Sequence, residues 1–501
     1  MHNNAIRLWL VFSLVISTFA FSGLAQAVSL NRFNLTLNGI GVSLDSSNAK
    51  KQRLFIPLGR GYGSAKSFSP VVRYTNAGNY VFECGGVKLK SGATCRFGAV
   101  KYGDSNKVIR LFKGRAVANT YQLVFTNLPV VTVDTNSPIV DIPKVRGTFR
   151  LTSGEFRQDT GNLPMGIEIE DSSALIYKKR SYEYQLAKKT RLLDMPADSE
   201  WSLEASYTDT SFARNKLSME VFNEIHPNKD RSRGRGSNAI KGRLAEVIIN
   251  DNYAGVYVLN QQVNPGLLGL KAAKGTFIYK ANYSQWQTNL FYPYKKGQVE
   301  LNFSQEYPKT KADFAPLKGF IDFVAKSNEY DFTDYIGNRI DLTSVADWYL
   351  LVKATQASDN TAKNFYLAKN AGGRFFVVPW NHTASFGLFW DGKREPASEF
   401  FATVDNNLIN RLIKYPDTNF RSLLKSRWAL LKKTVFTREK LLARFGRHRT
   451  LLVQGGAQNR NKAKWPQPNR GVSDPRLSTT RYIDNFLKVR LPAMNAYINS
   501  L

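Results

Sequence analysis

Thiol and imidazole side chains are scarce in this chain, whose 501 residues include two cysteines and four histidines. Zinc clusters need several of these ligands in close spacing, so the scarcity excludes them as a basis for function. A composition with 43% hydrophobic and 13% aromatic residues also excludes wholesale disorder. Any metal chemistry would therefore use carboxylate and amide oxygens, which are the ligands that Mg²⁺ prefers.

Negative charge is scarce as well. The chain has 39 Asp and Glu residues against 70 Lys and Arg, which gives a formal net charge of +31. An excess of this size predicts an acidic partner, such as an envelope polymer, a membrane surface or nucleic acid. No apolar run after residue 27 reaches 18 residues, so we expect no transmembrane span in the mature chain.

The first 27 residues have the layout of a secretory signal peptide. Met1–Arg7 is polar with one cation, Leu8–Phe21 is almost wholly apolar, and Ala25–Ala27 has the small-x-small cleavage pattern. A signal anchor is the alternative, although the apolar run is short for a span of about 20 residues. We therefore expect an exported protein, periplasmic or extracellular. Such a protein meets acidic envelope polymers first, which makes nucleic acid an unlikely partner.

Residues 28–127 are predicted to form an all-β sandwich, because short alternating runs such as Tyr80–Cys84 are separated by Gly and Asn. Cys84 and Cys95 flank a glycine-containing hairpin in a chain expected to enter an oxidising compartment. We expect a disulfide between them, with two unpaired thiols as the alternative. Nothing in this region indicates catalysis.

Residues 128–405 mix predicted strands with helices. The apolar periodicity of Asp341–Ser358 predicts a helix, and a polar loop containing Asp359 and Asn364 follows it. Phosphotransferases of the protein-kinase type place a catalytic Asp and a metal-binding Asn in this order and spacing. The pattern alone is common, so a polar loop that simply ends a helix is the alternative.

Blocks on both sides of this loop resemble the CotH family, the spore-coat protein H-like secreted atypical kinases. They occur in the family's order and together cover about residues 128–428. The blocks are Lys179–Tyr182, Leu193–Trp201, Tyr207–Asp209, Arg214–Asn215, Asn250–Tyr257, Pro379–Trp380, Ser385–Gly387 and Asn406–Trp428.

The resemblance implies an α+β chain in which the β-sandwich precedes a remote protein-kinase-like domain and a helical C-terminal region. It further implies ATP and Mg²⁺ as cofactors and phosphorylation of Ser or Thr in exported proteins as the activity. Carried onto this chain, the family's roles fall on Asp359 as the catalytic residue, on Asn364 and Asn381 as metal ligands, and on Lys179, Arg180, Arg214 and Lys280 as cofactor-binding cations.

Several positions depart from the family's pattern. Glu170-Asp171 stand where the family has Arg-Gly, and negative charge there opposes a phosphate. Gln261 replaces a frequent Glu. Asn381 and Thr383 replace the two acids of P-W-D-x-D, and a site of oxygen ligands loses most of its attraction for a dication without its carboxylates.

Two interpretations therefore compete. In the first, the protein is a pseudokinase or an envelope scaffold that binds anionic partners and needs no cofactor. In the second, it is an active secreted kinase that uses ATP and Mg²⁺. Four of these positions, Asp171, Gln261, Asn381 and Thr383, are ones where the family has an acid or a glycine. Because they differ together in one cleft, the pseudokinase interpretation is the favoured one.

Residues 406–501 are predicted to be helical and strongly basic. From Arg411 to Leu501 there are 20 Lys or Arg and four acids, a net charge of +16. A second basic cluster, Lys229, Arg231, Arg233 and Arg235, lies among glycines. These segments are either docking sites for an anionic polymer or ordinary exposed basic faces.

Overall fold

The computed structural model is a mixed α and β fold with a β-rich N-terminal region and a helical C-terminal region, as predicted. The expected signal peptide, residues 1–27, and the basic cluster, residues 229–235, lie outside the described residues. The structure describes residues 30–75, 78–170, 177–228, 236–282, 290–399, 406–466 and 475–501.

The N-terminal region contains eleven described strands in three sheets. The largest sheet has the order β3-β4-β11-β10-β7-β8, and the two smaller sheets are β2-β1-β6 and β5-β9. The strands are Thr36–Leu37 (β1), Ile40–Gly41 (β2), Ser43–Asp45 (β3), Arg53–Pro57 (β4), Lys66–Ser67 (β5), Val72–Arg73 (β6), Tyr80–Cys84 (β7), Val87–Lys88 (β8), Ala99–Val100 (β9), Val108–Lys113 (β10) and Ala116–Thr126 (β11).

One hydrophobic cluster joins these sheets. It includes Leu37 and Val72 from the three-stranded sheet β2-β1-β6, and Phe82 and Tyr121 from the six-stranded sheet. Cys84 and Cys95, both buried, are joined by a disulfide, which confirms the predicted pair. The alternation seen in the sequence therefore does produce buried and exposed strand faces around a separate core.

The next eight strands form a sheet with the order β12-β18-β19-β17-β16-β15-β13-β14. Its first strand also pairs with β13, from Val130 opposite Thr152 to Thr135 opposite Gly147, so seven strands close into a barrel. The elements are Val130–Thr135 (β12), Val145–Ser153 (β13), Gln158–Asp159 (β14), Leu163–Ile169 (β15), Tyr182–Thr190 (β16), Asp198–Glu204 (β17), Arg214–Ile225 (α1), Gly242–Ile249 (β18) and Asn252–Gln261 (β19).

Alternation along the barrel strands sorts their side chains into two faces. All seven strands contribute to one buried cluster, for example through Ile167, Tyr184 and Trp201. The neighbouring residues Glu168 and Glu183 therefore point to the outer face, because successive strand residues face opposite ways. This outer face carries the carboxylates of the site described below.

A four-stranded antiparallel sheet, β21-β20-β22-β23, and a group of helices follow. Asp341 caps α6, since its carboxylate accepts hydrogen bonds from the Thr343 and Ser344 amides. The helix ends at Thr355, earlier than predicted, because Gln356 is left-handed with a φ of 55°. The elements are Pro265–Leu268 (α2), Phe277–Ala281 (β20), Gln298–Asn302 (α3), Phe303–Tyr307 (β21), Ala315–Lys326 (α4), Glu329–Arg339 (α5), Leu342–Thr355 (α6), Phe365–Lys369 (β22) and Phe376–Pro379 (β23).

The C-terminal region is helical, as predicted, but much of its positive charge is engaged within the fold. Arg411 and Arg490 are buried and donate to backbone carbonyls. Arg444 pairs with Glu224. No helix within the described ranges has an apolar stretch long enough to cross a bilayer. The helices are Asn407–Lys414 (α7), Phe420–Thr434 (α8), Arg438–Gln454 (α9), Ala457–Lys464 (α10) and Thr480–Ser500 (α11).

The N-terminal region contacts the barrel at the hairpin between β18 and β19. The rings of Phe55 and Tyr253 stack 5.2 Å apart, and the Asp45 carboxylate accepts a hydrogen bond from the Tyr253 amide. Arg460 of α10 reaches the same place, where it forms an ion pair with the fully buried Glu246. Three distant parts of the chain therefore meet at one buried polar cluster.

Candidate functional site

A cleft of about 2130 Å³ separates the outer face of the barrel from the four-stranded sheet and the loop after α6. Its described lining includes eight acidic residues and six lysines, so the wall is net acidic in a protein whose total charge is strongly positive. The acids are Asp141, Glu168, Glu170, Glu183, Asp198, Glu200, Glu204 and Glu306.

The barrel side of the cleft places like charges opposite each other. Glu168 on β15 pairs in register with Glu183 on β16, an arrangement that is unfavourable unless cations compensate. Lys144 provides one compensation through an ion pair with Glu168. Lys280, on β20 across the cleft, provides another. Burial raises the pKa of Glu183, and the positive charge of Lys280 lowers it by a smaller amount.

Glu170 lies at the end of β15, where the sequence departs from the resembled family. Burial and the nearby Glu183 carboxylate raise its pKa to about 8, against the opposing effect of Lys280. A carboxyl with this pKa is mostly protonated at neutral pH. The neighbouring Asp171 and the paired serines lie outside the described residues.

Lys179, expected to bind a cofactor, is 2% exposed. Its ammonium donates to the carbonyl oxygens of Ala205, at 2.8 Å, and Val256. It also lies 4.6 Å and 4.4 Å from the ring centres of Phe212 and Tyr257. Burial holds the pKa of this amine well below its usual value. The ammonium is thus held by the protein's own backbone and rings.

The other three expected cofactor-binding cations lie in different surroundings. Arg214 is fully buried and donates to the Asp209 carboxylate at 2.6 Å and to two backbone carbonyls. Arg180 is half-buried and is not among the described residues that line the cleft. Lys280 does line the cleft, with its ammonium 5.8 Å from the Trp380 ring centre. Of these cations, Lys280 is the one that faces the carboxylates.

The two expected metal ligands, Asn364 and Asn381, both line the cleft and both have left-handed backbones, with φ of 60° and 46°. Asn360 holds their loops together, because its amide donates to the carbonyl oxygens of Trp380, Asn364 and Asn381. The backbone of Asp359 lies in the 3₁₀ turn Ser358–Thr361, and its side chain lies outside the described residues.

Glu204, the last residue of β17, connects the two sides of the cleft. Its Oε1 accepts hydrogen bonds from the hydroxyls of Ser206, at 2.8 Å, and Thr383, at 3.0 Å. Its Oε2 accepts from the amides of Asn215 and Asn260. Thr383, which stands at an acidic position of the resembled family, therefore donates to a carboxylate instead of adding a second one.

Sequence reasoning did not identify Glu204, Glu183 or Glu306 as residues of this cleft. Alternation in β16 and β17 could have placed Glu183 and Glu204 on a strand face opposite to apolar residues. It could not have shown that the face is covered by the second sheet, because that packing joins strands far apart in the sequence.

Comparison with known proteins gives two findings. A family model described as CotH kinase protein matches residues 167–494, well over half of the chain. Inner spore coat protein H of Bacillus subtilis (strain 168) is 26% identical over 304 residues, which are 58% of this chain and 78% of that protein. The family match begins later and extends further toward the C-terminus than the blocks of residues 128–428 that resemble the family.

Proposed function

The chain belongs to the CotH family, and we propose that it acts within it as a pseudokinase, a surface scaffold whose cleft does not bind ATP with Mg²⁺. In this proposal the basic exterior binds an anionic envelope polymer. The alternative is an active secreted kinase that phosphorylates exported proteins.

The surroundings of Lys179 are the main support for the proposal. An amine that binds nucleotide phosphates must present its N–H groups to the ligand, but the Lys179 amine already donates to Ala205 and Val256 and lies against two aromatic rings. Releasing it would leave two buried carbonyl oxygens without a donor, which costs about 1–3 kcal/mol each. Lys280, the other expected cofactor-binding cation that lines the cleft, lies close to the carboxylates of Glu170 and Glu183.

The residues at the expected metal position also fit Mg²⁺ poorly. Asn364 and Asn381 offer neutral amide oxygens, and Thr383 is already bonded to Glu204. The described residues contain no group of three or more His, Cys, Asp or Glu side chains that could hold a metal ion. Hard cations bind in proteins mainly through carboxylates, so the described donor set gives little attraction for a dication.

One observation favours the alternative. Asn364 and Asn381 lie on adjacent loops of one cleft, and Asp359 precedes Asn364 at the spacing used by protein kinases. If the enzyme is active, Asp359 accepts the substrate hydroxyl proton and Lys280 contacts phosphate. Mg²⁺ held by the two asparagines would then neutralise charge on the transferred group.

The proposed export of the protein and its proposed anionic partner rest on observations outside the cleft. The Bacillus relative is an inner spore coat protein, and this chain begins with a segment that has the pattern of an export signal. We propose that this protein is likewise exported. Its net charge of +31 supports an acidic polymer as the partner.

Calorimetric titration of the purified chain with ATP and Mg²⁺ or Mn²⁺ tests the cleft. We expect no saturable heat at millimolar ATP. Kinase activity of the unmodified chain toward exported proteins, abolished by Asp359→Asn, would overturn the proposal and establish the alternative.

Restoring the missing carboxylates gives a second test. In Asn381→Asp with Thr383→Asp, the carboxylate introduced by the second substitution would lie beside Glu204. We therefore expect lower stability in EDTA and recovery when Mg²⁺ or Mn²⁺ bridges the carboxylates. The matched control is Asn381→Asp alone, which keeps the Thr383 hydrogen bond. Equal melting temperatures of the double variant with and without the metal would contradict the explanation that the cleft lacks a metal site because these carboxylates are missing.

A further inference from the structure

The hairpin formed by β10 and β11 projects from the N-terminal region. Residues 113–118 are all exposed, although a strand that packs on a core buries every second side chain. Lys113 pairs with Ala116, so two residues form the turn between the strands. Gly114 supplies the positive φ, 63°, that such a short turn favours. The end of this hairpin therefore stands clear of the hydrophobic core.

Three apolar side chains lie in a row across the six-stranded sheet beside the turn. Phe112 pairs in register with Val81 on β7 and with Val117 on β11. None of the three packs against the hydrophobic cluster of this region, whereas the neighbouring Phe82 and Leu111 belong to it. Val117 is 52% exposed, and Phe112 and Val81 are half-buried. This apolar row therefore lies on the sheet face that points away from the core.

Three cations lie beside the apolar row, and we call them the hairpin cations. Lys113 and Arg115 are exposed at the turn, and neither forms an ion pair with a described residue. The third is Lys88, whose ammonium lies 4.5 Å from the Phe112 ring centre and donates to the Gly114 carbonyl at 3.2 Å. Apolar and cationic side chains therefore share one protruding tip.

The surrounding N-terminal region contains few acids that could neutralise the hairpin cations. Residues 30–127 contain 15 Lys or Arg and three Asp or Glu, a net charge of +12. Two of the three acids, Asp45 and Glu83, already form ion pairs with arginines. Residues 76–77, which lie outside the described residues, carry no charge. The hairpin therefore presents its apolar row within a strongly basic surface.

We propose that the tip of this hairpin docks on an anionic lipid surface. The apolar row enters the interfacial layer, and the hairpin cations contact lipid phosphates. A lipid surface matches both properties of the tip, because it presents anionic groups above apolar chains. This docking surface belongs to a different region from the cleft, so it does not depend on whether the cleft binds nucleotide.

Other partners match the tip less well. A soluble acidic polymer would pair with the hairpin cations but would leave the apolar row in water, which is unfavourable. A second copy of the chain would bring two basic surfaces together, and like charges across an interface oppose association. The combination of an apolar row with cations therefore favours a lipid surface.

Flotation with phospholipid vesicles tests this proposal on the chain without its expected signal peptide, residues 28–501. We expect binding to vesicles of phosphatidylglycerol and phosphatidylcholine in equal amounts, and little binding to phosphatidylcholine alone. Each cation near an anionic surface contributes about 1 kcal/mol, which is roughly fivefold in affinity. Lys113→Gln with Arg115→Gln should therefore weaken binding roughly 25-fold. Val117→Ser should also weaken it, because it removes apolar surface from the row.

An environment-sensitive fluorophore shows whether the tip enters the lipid. The two native cysteines form a disulfide, so Val117→Cys provides a single thiol for labelling. We expect the emission of this label to shift to the blue with anionic vesicles and to stay unchanged with heparin, a soluble polyanion. Ser67→Cys, exposed on β5, is the control position, and its label should not respond to either.

Lys66→Gln with Lys101→Gln is the matched charge control. Both lysines are exposed, and Lys66 on β5 pairs with Val100, directly before Lys101. This control should leave vesicle binding nearly unchanged. Melting temperatures show whether each variant is folded, and the charge variant keeps the test valid if Val117→Ser unfolds. The proposal is wrong if anionic vesicles are not bound, if the control lysines matter as much as the hairpin cations, or if the label at position 117 stays in water.

Discussion

At the scale of single residues, Glu170 makes stability depend on pH. Its pKa is about 8 in the folded chain, against an ordinary value of 4.5. A raised carboxyl pKa contributes stability that is complete below about pH 4.5 and is lost as the pH rises through 8. Glu170→Gln keeps a neutral side chain at every pH, so its advantage over the parent should grow from pH 5 to pH 9.

Thermal melting between pH 5 and pH 9 measures this effect. We expect Glu170→Gln to melt at least about 3 °C above the parent at pH 9 and close to it at pH 5, since 1 kcal/mol corresponds to roughly 2–4 °C in a domain of this size. Glu439→Gln, which changes an exposed carboxylate of α9, is the control. Parallel melting curves for the Glu170 variant and the parent would exclude the proposed pKa.

Arg214 allows a second prediction at this scale, because its charge compensates Asp209 in the interior. Removing one partner of a buried ion pair typically costs about 3–5 kcal/mol. We therefore expect Arg214→Met to unfold at clearly lower urea concentration whether or not ATP is present. Arg214→Met with Asp209→Asn should recover part of the loss, whereas a nucleotide-binding role alone would leave stability unchanged.

At the scale of elements, the disulfide between Cys84 and Cys95 ties the end of β7 to the segment that precedes β9. Its partners are 11 residues apart. In the chain-entropy model, closing a loop of this length stabilises the fold by roughly 3 kcal/mol. Reduction or Cys84→Ser with Cys95→Ser should lower the first unfolding transition, and thiol titration of the unreduced, unfolded chain should find no free thiol.

The elements that sequence patterns predicted well are those with local signals. Tyr80–Cys84 forms β7 as predicted, and Asp341 caps α6 as predicted. The start of α6 could be predicted because its cap and its apolar periodicity lie within one short segment. The end of α6 was wrong by three residues, since the left-handed Gln356 gives no clear sequence signal. The barrel closure was not predicted, because β12 pairs with β18 across more than a hundred residues.

The candidate site was predicted in part for the same reason. Asn364, Asn381 and Lys280 line one cleft, and their roles as metal ligands and as a cofactor-binding cation stay predictions. Lys179 and Arg214 have roles that no motif shows, because burial and carbonyl partners depend on elements that are distant in sequence. The sequence gives the net charge of the C-terminal region but not which of its cations are exposed. Arg444 forms an ion pair with Glu224, and Arg449 donates to the Ser478 carbonyl.

At the scale of the whole molecule, a polyanion should bind the cations of the C-terminal region that have no partner as close as those of Arg444 and Arg449. Lys425, Lys433 and Arg447 are exposed on α8 and α9. Replacing all three by Glu should lower the salt concentration at which the protein leaves heparin, because exposed charges act over a Debye length of about 8–10 Å.

Control variants at Lys51, Lys90 and Lys101 make the same change of charge on the exposed surface of the N-terminal region. If the C-terminal region is the docking surface, these changes should shift the elution much less. Equal shifts for the two sets would mean that net charge alone governs retention and that no C-terminal docking surface exists.

The pairing of Arg460 with Glu246 has a consequence for how the chain is made. Glu246 belongs to the barrel, but its cationic partner is synthesised more than two hundred residues later. Glu246 lies between Ala245 and Val247, which face the barrel interior, so its carboxylate is on the outer face, where α10 and the N-terminal region pack. Until that arginine leaves the ribosome, covering this face would bury the carboxylate without a cation, which is strongly unfavourable. The N-terminal region should therefore dock fully against the barrel only once nearly the whole polypeptide has emerged.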